Sequence, residues 1–488
     1  MRLLIIKFIK NIIFSYLREF LMKTRMYNIY WLTICVLACL TNIAMADDVD
    51  KSKVDKLDKQ FINLSNITYS DSSLYKKNSI KISNKISSLY SKVKALNEAH
   101  NYPAALIEIH ANKALIKKNI DNESIYYFLN LLLSHNDWIL ASSIYAHIIK
   151  EGDKSLISNV KYIFAKYHYF RNEWNKTLTL LSGINSDLGV NEGHYALVMN
   201  GIVLQKLKKH REALKFYNQV PIKSKYYNYA QLNKATVNIR QGWWSDAHII
   251  INKLLTSNES KPVYEEEFIN RLYLVLGYSF LQQEYFRESR NSFRNIRKYS
   301  QYSNRALLGI SLAAANQGDN IGALNILNIL QEEKTRSLST EESYLLLPYI
   351  YERLGQYKTA SASYTIALRY YQTRIKEVEN ILISIKTNPH NLLPDTENTL
   401  IFKGTNIHIS SNKELANIKN RRELITLKSI AQDKKTHDII DKLIFDYDLH
   451  IAEQATRILQ KTLYNLKSYL NQSQYGIARL YDNSKSEL

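Results

Sequence analysis

The chain has 488 residues, 45% hydrophobic and 23% charged, with 36 Tyr, 13 Gly, 6 Pro and a formal net charge of +20. This length is too great for one globular core but suits a solenoid, in which each unit packs only on its neighbours. Sparse Gly and Pro and the lack of any strand-rich block point to helix, and two cysteines, Cys35 and Cys39, provide no disulfide framework.

In chain order, the first element is an address. Lys23 and Arg25 precede an uncharged, largely apolar run from Tyr27 to Ile43, and Ala44-Met45-Ala46 supplies the small-x-small pattern that signal peptidase cuts before Asp47. The leader is long, which makes Met22 or Met26 an alternative start. Two other readings stand beside it. The run is at the short limit for an uncleaved anchor, and Val36-Leu37-Ala38-Cys39 resembles a lipobox whose cysteine is lipidated. Cleavage at Ala46 removes both cysteines and six Lys/Arg against one acid, leaving a charge of about +15 and no thiol chemistry, which is compatible with an oxidising periplasm. A basic surface attracts acidic partners. The abundance of Lys, Asn, Ile and Tyr also matches the drift of an AT-rich genome.

Residues 47–85 are rich in Lys, Ser, Asn and Asp and read as a polar tether with some helix toward its end. From there to residue 370 a consensus recurs eight times. A small residue falls at Ala105, Ala141, Thr177, Ala213, Ala247, Ser289, Ala323 and Ala360, at intervals of 36, 36, 36, 34, 42, 34 and 37. Three residues earlier stand mostly flat side chains: Tyr102, Trp138, Trp174, His210, Trp244, Phe286, Asn320 and Tyr357. Four residues later come Ile109, Tyr145, Leu181, Tyr217, Ile251, Phe293, Leu327 and Tyr364. Twelve residues before the anchor, Ala165, Gly201, Ala235, Gly277 and Ser311 are small, while Val93, Leu129 and Pro348 depart from that pattern. Such a period marks stacked units. The 42-residue interval holds a polar insertion from Thr256 to Pro262, and Glu265-Glu266-Glu267 reads as the acidic first turn of the next helix.

Beyond the last unit, the helix opened at Tyr357 runs to about Ile385 and ends at Asn388-Pro389. A mixed segment from Thr399 to Gly404 follows, and apolar residues at helical spacing return from Leu415 to Leu480. Residues 371–488 form a helical region that caps the exposed apolar end of the solenoid. A dimerisation element is the alternative.

The pattern around Gly355-Gln356-Tyr357 and Ala360 resembles the second half of a tetratricopeptide repeat. That resemblance implies an all-α, right-handed superhelical solenoid of about eight helical hairpins with a C-terminal helical cap. It also implies a concave surface lined by the first helix of each hairpin. Carried over position by position, the lining is Tyr126, Asn130, Tyr162, Lys166, Tyr169, Tyr195, Lys206, Tyr229, Arg240, Arg271, Tyr278, Arg305, Tyr349 and Arg353. Glu98, Glu123, Glu342 and Glu352 are the acidic exceptions. The Lys/Asn clamp of the chaperone-binding subclass is not supported, since Asn130 matches one position but Tyr126 stands where Lys is expected. Tyr offers contact area at low entropy cost and Arg grips a carboxylate through two bonds, so the lining suits a protein or peptide partner of acidic character.

No catalytic signature is present, whether His-Glu-x-x-His, Gly-x-Ser-x-Gly, a phosphate-binding loop or Gly-x-Gly-x-x-Gly. Asp446 and His450 stand one helical turn apart and could share a cation, but two ligands make no specific site, and a solvated helix face with Lys442 beside Asp446 is the simpler reading. The expectation is a non-catalytic adaptor without cofactor or metal, exported to a bacterial periplasm and engaging no nucleic acid. An oligomerising envelope-assembly subunit and a glycan-binding accessory, the latter suggested by Trp243, are the alternatives.

Overall fold

The computed structural model describes residues 53–71, 74, 83–184, 188–256, 265–333, 337–396, 399–402, 405–408 and 412–486. The stretch read as a leader, with the expected cleavage residues Ala46 and Asp47 and both cysteines, lies outside the described residues, as does most of the insertion after Thr256. The chain divides into two compact units, Met1–Gln60 and Phe61–Leu488. No helix of the described residues is long and apolar enough to cross a membrane. The segment read as a tether contains a helix, α1, at 53–69, on which Phe61, Leu64 and Tyr69 are buried.

Within the second unit the repeats form helical hairpins in the expected register. The first helices are α2 (Ile86–Glu98), α5 (Ser124–Ser134), α7 (Lys154–Phe170), α9 (Val190–Lys206), α11 (Tyr227–Gln241), α13 (Glu265–Gln282), α15 (Ser303–Asn316) and α17 (Leu338–Arg353). Their partners are α3 (Tyr102–Ala111), α6 (Trp138–Glu151), α8 (Trp174–Ser182), α10 (His210–Asn218), α12 (Trp244–Thr256), α14 (Phe286–Arg294), α16 (Asn320–Glu332) and α18 (Tyr357–Thr387). A short helix, α4 (Lys113–Lys118), separates the first two hairpins.

One backbone device makes every hairpin. Five residues before each anchor the chain turns left-handed, at His100, Asn136, Asn172, Lys208, Gly242, Glu284, Gly318 and Gly355. The next N–H then bonds back to the carbonyl five residues earlier, as Lys209 N to Leu204 O at 2.8 Å and Gln356 N to Tyr351 O at 3.0 Å. This is the helix-ending motif that reverses the chain within a few residues. The second helix starts two residues on.

Packing explains the small anchors. All eight are 0% exposed. Where the position twelve residues before the anchor is Gly, the aromatic four residues after it fills the space: a Cβ on Gly201 would stand 2.3 Å from the Tyr217 ring. Phe293 wedges between two first helices, since Cβ atoms on Gly277 and Gly309 would meet its ring at 2.6 and 2.4 Å. Interiors are close-packed, so ring and glycine are complementary. In the departing units Val93, Leu129 and Pro348 are themselves buried, and α17 continues through Pro348.

The C-terminal region adds to the all-helical expectation. After α18 a 3-10 turn (Pro389–Asn391) leads into an antiparallel meander of β1 (Leu393–Thr396), β2 (Thr399–Phe402) and β3 (Thr405–His408), with Leu400 opposite Ile407. Leu392, Leu400 and Ile407 share a core with Tyr371, Ile375 and Ile385 of α18. Two helices follow, α19 (Asn412–Ile430) and α20 (Lys434–Ser486); α20 has 53 residues and is about 80 Å long at 1.5 Å per residue. It packs along α18 and touches α17, burying Leu466, Tyr469 and Leu480, and Gly476 lies under the Tyr364 ring. This is the cap on the last hairpin. Its exposed large apolar residues are Ile439, Phe445, Tyr464, Tyr475 and Tyr481.

The Asp446–His450 stretch is not a solvated face, because α19 covers it. His450 is wholly buried beside Gln454, and Asp448 pairs with Arg421 of α19 and, at 2.9 Å, with His390. Among the described residues no three His, Cys, Asp or Glu side chains could hold a metal ion together.

Candidate functional site

Successive first helices from α7 to α17 pack side by side and form one continuous face. The fourteen lining residues carried over from the repeat consensus all lie on first helices, but they divide by chemistry. Lys166, Lys206, Arg240, Arg271, Arg305 and Arg353 are exposed. Five of the seven tyrosines instead do packing work. Tyr162, Tyr169 and Tyr195 are half-buried in one core cluster, with the Tyr195 ring 5.0 Å from Tyr226; Tyr278 packs on Phe293 at 4.9 Å, and Tyr349 joins the cluster between α15 and α17. Burial pushes the Tyr169 hydroxyl up to about 12 and raises Tyr162, Tyr195 and Tyr278 as well, so all stay neutral. Tyr278 Oη donates to the Arg305 carbonyl at 2.9 Å, tying α13 to α15. Tyr126 is half-buried, and Asn130, exposed, donates to its carbonyl. Tyr229, 44% exposed, is the most open ring of the group.

Several arginines away from the lining are paired. Arg290, Arg297, Arg374, Arg421 and Arg479 each pair with a carboxylate. None of the six lining cations has such a partner among the described residues. Of the four acids at lining positions, Glu98 and Glu123 are exposed, while Glu342 and Glu352 are engaged by α20. Arg479 Nη2 on α20 donates to both carboxylate oxygens of Glu352, at 2.6 and 2.7 Å, and the Tyr364 hydroxyl donates to it as well. Glu342 is buried, receives the Tyr469 hydroxyl of α20 at 3.1 Å, and is pushed up to about 7 by burial. The cap thus removes two carboxylates from the face while the cations stay in solvent.

Across α9, α11, α13 and α15 these groups fall into rows. Positions i, i+7 and i+11 share one helix face. Eighteen residues before the anchors stand Tyr195, Tyr229, Arg271 and Arg305; seven before stand Lys206, Arg240, Gln282 and Asn316. Between these rims, eleven before the anchors, runs a half-buried floor of Ile202, Thr236, Tyr278 and Leu312. The face thus carries cations on one edge at α9 and α11 and on the other at α13 and α15, with a mainly apolar floor between them. It offers contact area and charge.

No signal in the sequence marked the groups that join the ends of the repeat array. Helix α19 touches α3, and Asn136 of the second hairpin turn donates to Asn420, which in turn donates to Tyr447 Oη at 3.1 Å. These partners lie 284 and 27 residues apart, and residue type alone marks neither.

No protein-family model and no curated protein matches this sequence. Similar solved structures include a tetratricopeptide repeat protein from Parabacteroides merdae, 15% identical, covering 59% of this chain and 98% of that one with a TM-score of 0.34. The C-terminal part of a repeat-containing protein from Cytophaga hutchinsonii is 11% identical over 64% and 98%, with a TM-score of 0.35. The apo form of RapI is 14% identical over 70% and 97%, with a TM-score of 0.42. The tetratricopeptide-like character of the chain stands on its own repeats: the left-handed turn, the buried anchor and the large side chain four residues after it recur in register from hairpin to hairpin.

Proposed function

We propose that this protein is a non-catalytic scaffold of the bacterial cell envelope, holding a protein or peptide partner on the face made by its first helices. The observation that carries this reading is the set of solvent-facing cations without carboxylate partners on consecutive first helices. Exposed charges of this kind add little to folding, and a partner's carboxylates would complement a row of them on consecutive helices. The envelope setting rests on the leader motif Ala44-Met45-Ala46 alone. Dimerisation through the C-terminal apolar residues is not part of the proposal, because α20 uses Leu466, Tyr469 and Leu480 within the chain.

The test is affinity capture from membrane-derived extract with wild type and with Arg240→Ala/Arg271→Ala/Arg305→Ala. The tyrosines are left in place because they are structural. Loss of the same captured protein, with helicity and Tm unchanged, is the expected result. A triple variant that captures the wild-type set would rule out this face. Mass spectrometry of the cellular protein tests export: a terminus at Asp47 supports signal cleavage, and an acylated Cys39 supports a lipid-anchored form.

A further inference from the structure

Resting on that reading, we propose that the partner segment is an acidic amphipathic helix lying across α9, α11, α13 and α15. The argument starts from spacing. Adjacent packed helices lie about 8–10 Å apart, so the floor offers one contact position at about that interval, apolar at Ile202, Leu312 and the Tyr278 ring, with Thr236 between them. A heptad of α-helix advances about 10.5 Å and returns an apolar residue to the same face. The two repeats agree. An extended strand covers about 10 Å in three residues, and because its side chains alternate, every second floor position would meet the wrong face.

Width gives the same answer. The rims are separated by eleven residues of each first helix, about 16 Å, and a helix with its side chains is about 10–12 Å across. A helix seated on the floor therefore reaches both edges with its flanking side chains. On one edge these meet Lys206 and Arg240, and on the other Arg271 and Arg305, all exposed. Carboxylates on both flanks of an apolar stripe complement that arrangement, and bidentate pairing is available to the three arginines. Single-stranded nucleic acid fits less well, because its bases want a series of exposed aromatic platforms, and of the three tyrosines here Tyr278 and Tyr195 pack on Phe293 and Tyr226 while only Tyr229 is exposed.

The experiment uses the full chain and three labelled peptides of about 21 residues, read by fluorescence anisotropy. One carries Leu at heptad a and d positions with Glu on both flanks, one has the same composition scrambled, and one has Lys in place of Glu. A single-stranded oligonucleotide is the fourth probe. The acidic amphipathic peptide should bind at least about ten-fold more tightly than the scrambled one, and the Lys peptide should not bind. Arg271→Ala/Arg305→Ala should weaken it by about ten-fold or more without lowering Tm, and binding should fall with salt. Equal binding of the scrambled peptide, or tighter binding of the oligonucleotide, overturns the proposal. Extract capture that depends on these arginines while the acidic peptide fails to bind overturns the helix chemistry and leaves the scaffold reading standing. Acidic-peptide binding indifferent to the two arginines, together with capture by the triple variant, overturns both.

Discussion

His135 Nδ1, at the end of α5, lies 2.8 Å from Glu423 Oε1 of α19, a contact across 288 residues of sequence. Both side chains are mostly buried, at 10% and 15% exposure, and the Tyr102 ring sits 4.9 Å from the imidazole. Beside them Asn136 bonds Asn420. The region after the last repeat therefore bridges back to the second hairpin, through polar groups whose loss would leave buried partners unsatisfied.

A double-mutant cycle with His135→Ala and Glu423→Ala should show coupling of about 0.5–3 kcal/mol in chemical denaturation, the range for buried groups in direct contact. Strictly additive effects would mean that the two ends of the array do not meet through this pair.

The register of the repeats is tested in the fourth hairpin. Ala213→Leu and Gly201→Ala should each destabilise by about 1–3 kcal/mol, because neither site has room for added atoms. Tyr217→Leu should rescue part of the Gly201→Ala loss by vacating the space its Cβ enters. Equal melting temperatures for Gly201→Ala with and without Tyr217→Leu would contradict the pairing.

Turn residues offer a change of opposite sign. Lys208 (φ 63°) and Glu284 (φ 65°) occupy left-handed backbone that disfavours side chains, so Lys208→Gly and Glu284→Gly should each raise stability by about 0.5–1 kcal/mol. At Gly355 (φ 70°) a Cβ would meet nothing within 4 Å, so Gly355→Ala isolates the backbone term and should cost about 1 kcal/mol. Unchanged urea midpoints for all three variants would show that the turns are not left-handed.

Glu342 links the cap to pH. Its folded pKa, about 7, lies above the ordinary 4.5 because burial opposes the charged form, which outweighs the Tyr469 hydrogen bond. Between those values the unfolded chain releases the proton first, so stability should fall as pH rises from about 4.5 to about 7 and stay low above it. The full effect is on the order of 3 kcal/mol. Glu342→Gln, which keeps an acceptor for Tyr469, should flatten this limb and raise Tm at pH 8. A parallel pH profile for variant and wild type would exclude Glu342 as the cause.

The sequence by itself determined the repeat. Anchor, flat residue and inserted ring recur at nearly constant spacing because each hairpin packs mainly on itself and its neighbours, and such physics is written locally along the chain. The end of α18 at Asn388-Pro389 was legible for the same reason, since Pro disfavours helix in the residue before it, whereas Pro348 is carried inside α17 by its packing. Only the tertiary structure decided the rest. Whether Tyr195 or Arg271 faces solvent depends on how adjacent first helices cross, and consensus position does not encode that angle. The pairing of Glu342 with Tyr469 and of Glu352 with Arg479 spans 127 residues, and that of His135 with Glu423 spans 288. Contacts so remote leave no periodic trace, because they form between elements brought together by the stacking of everything in between.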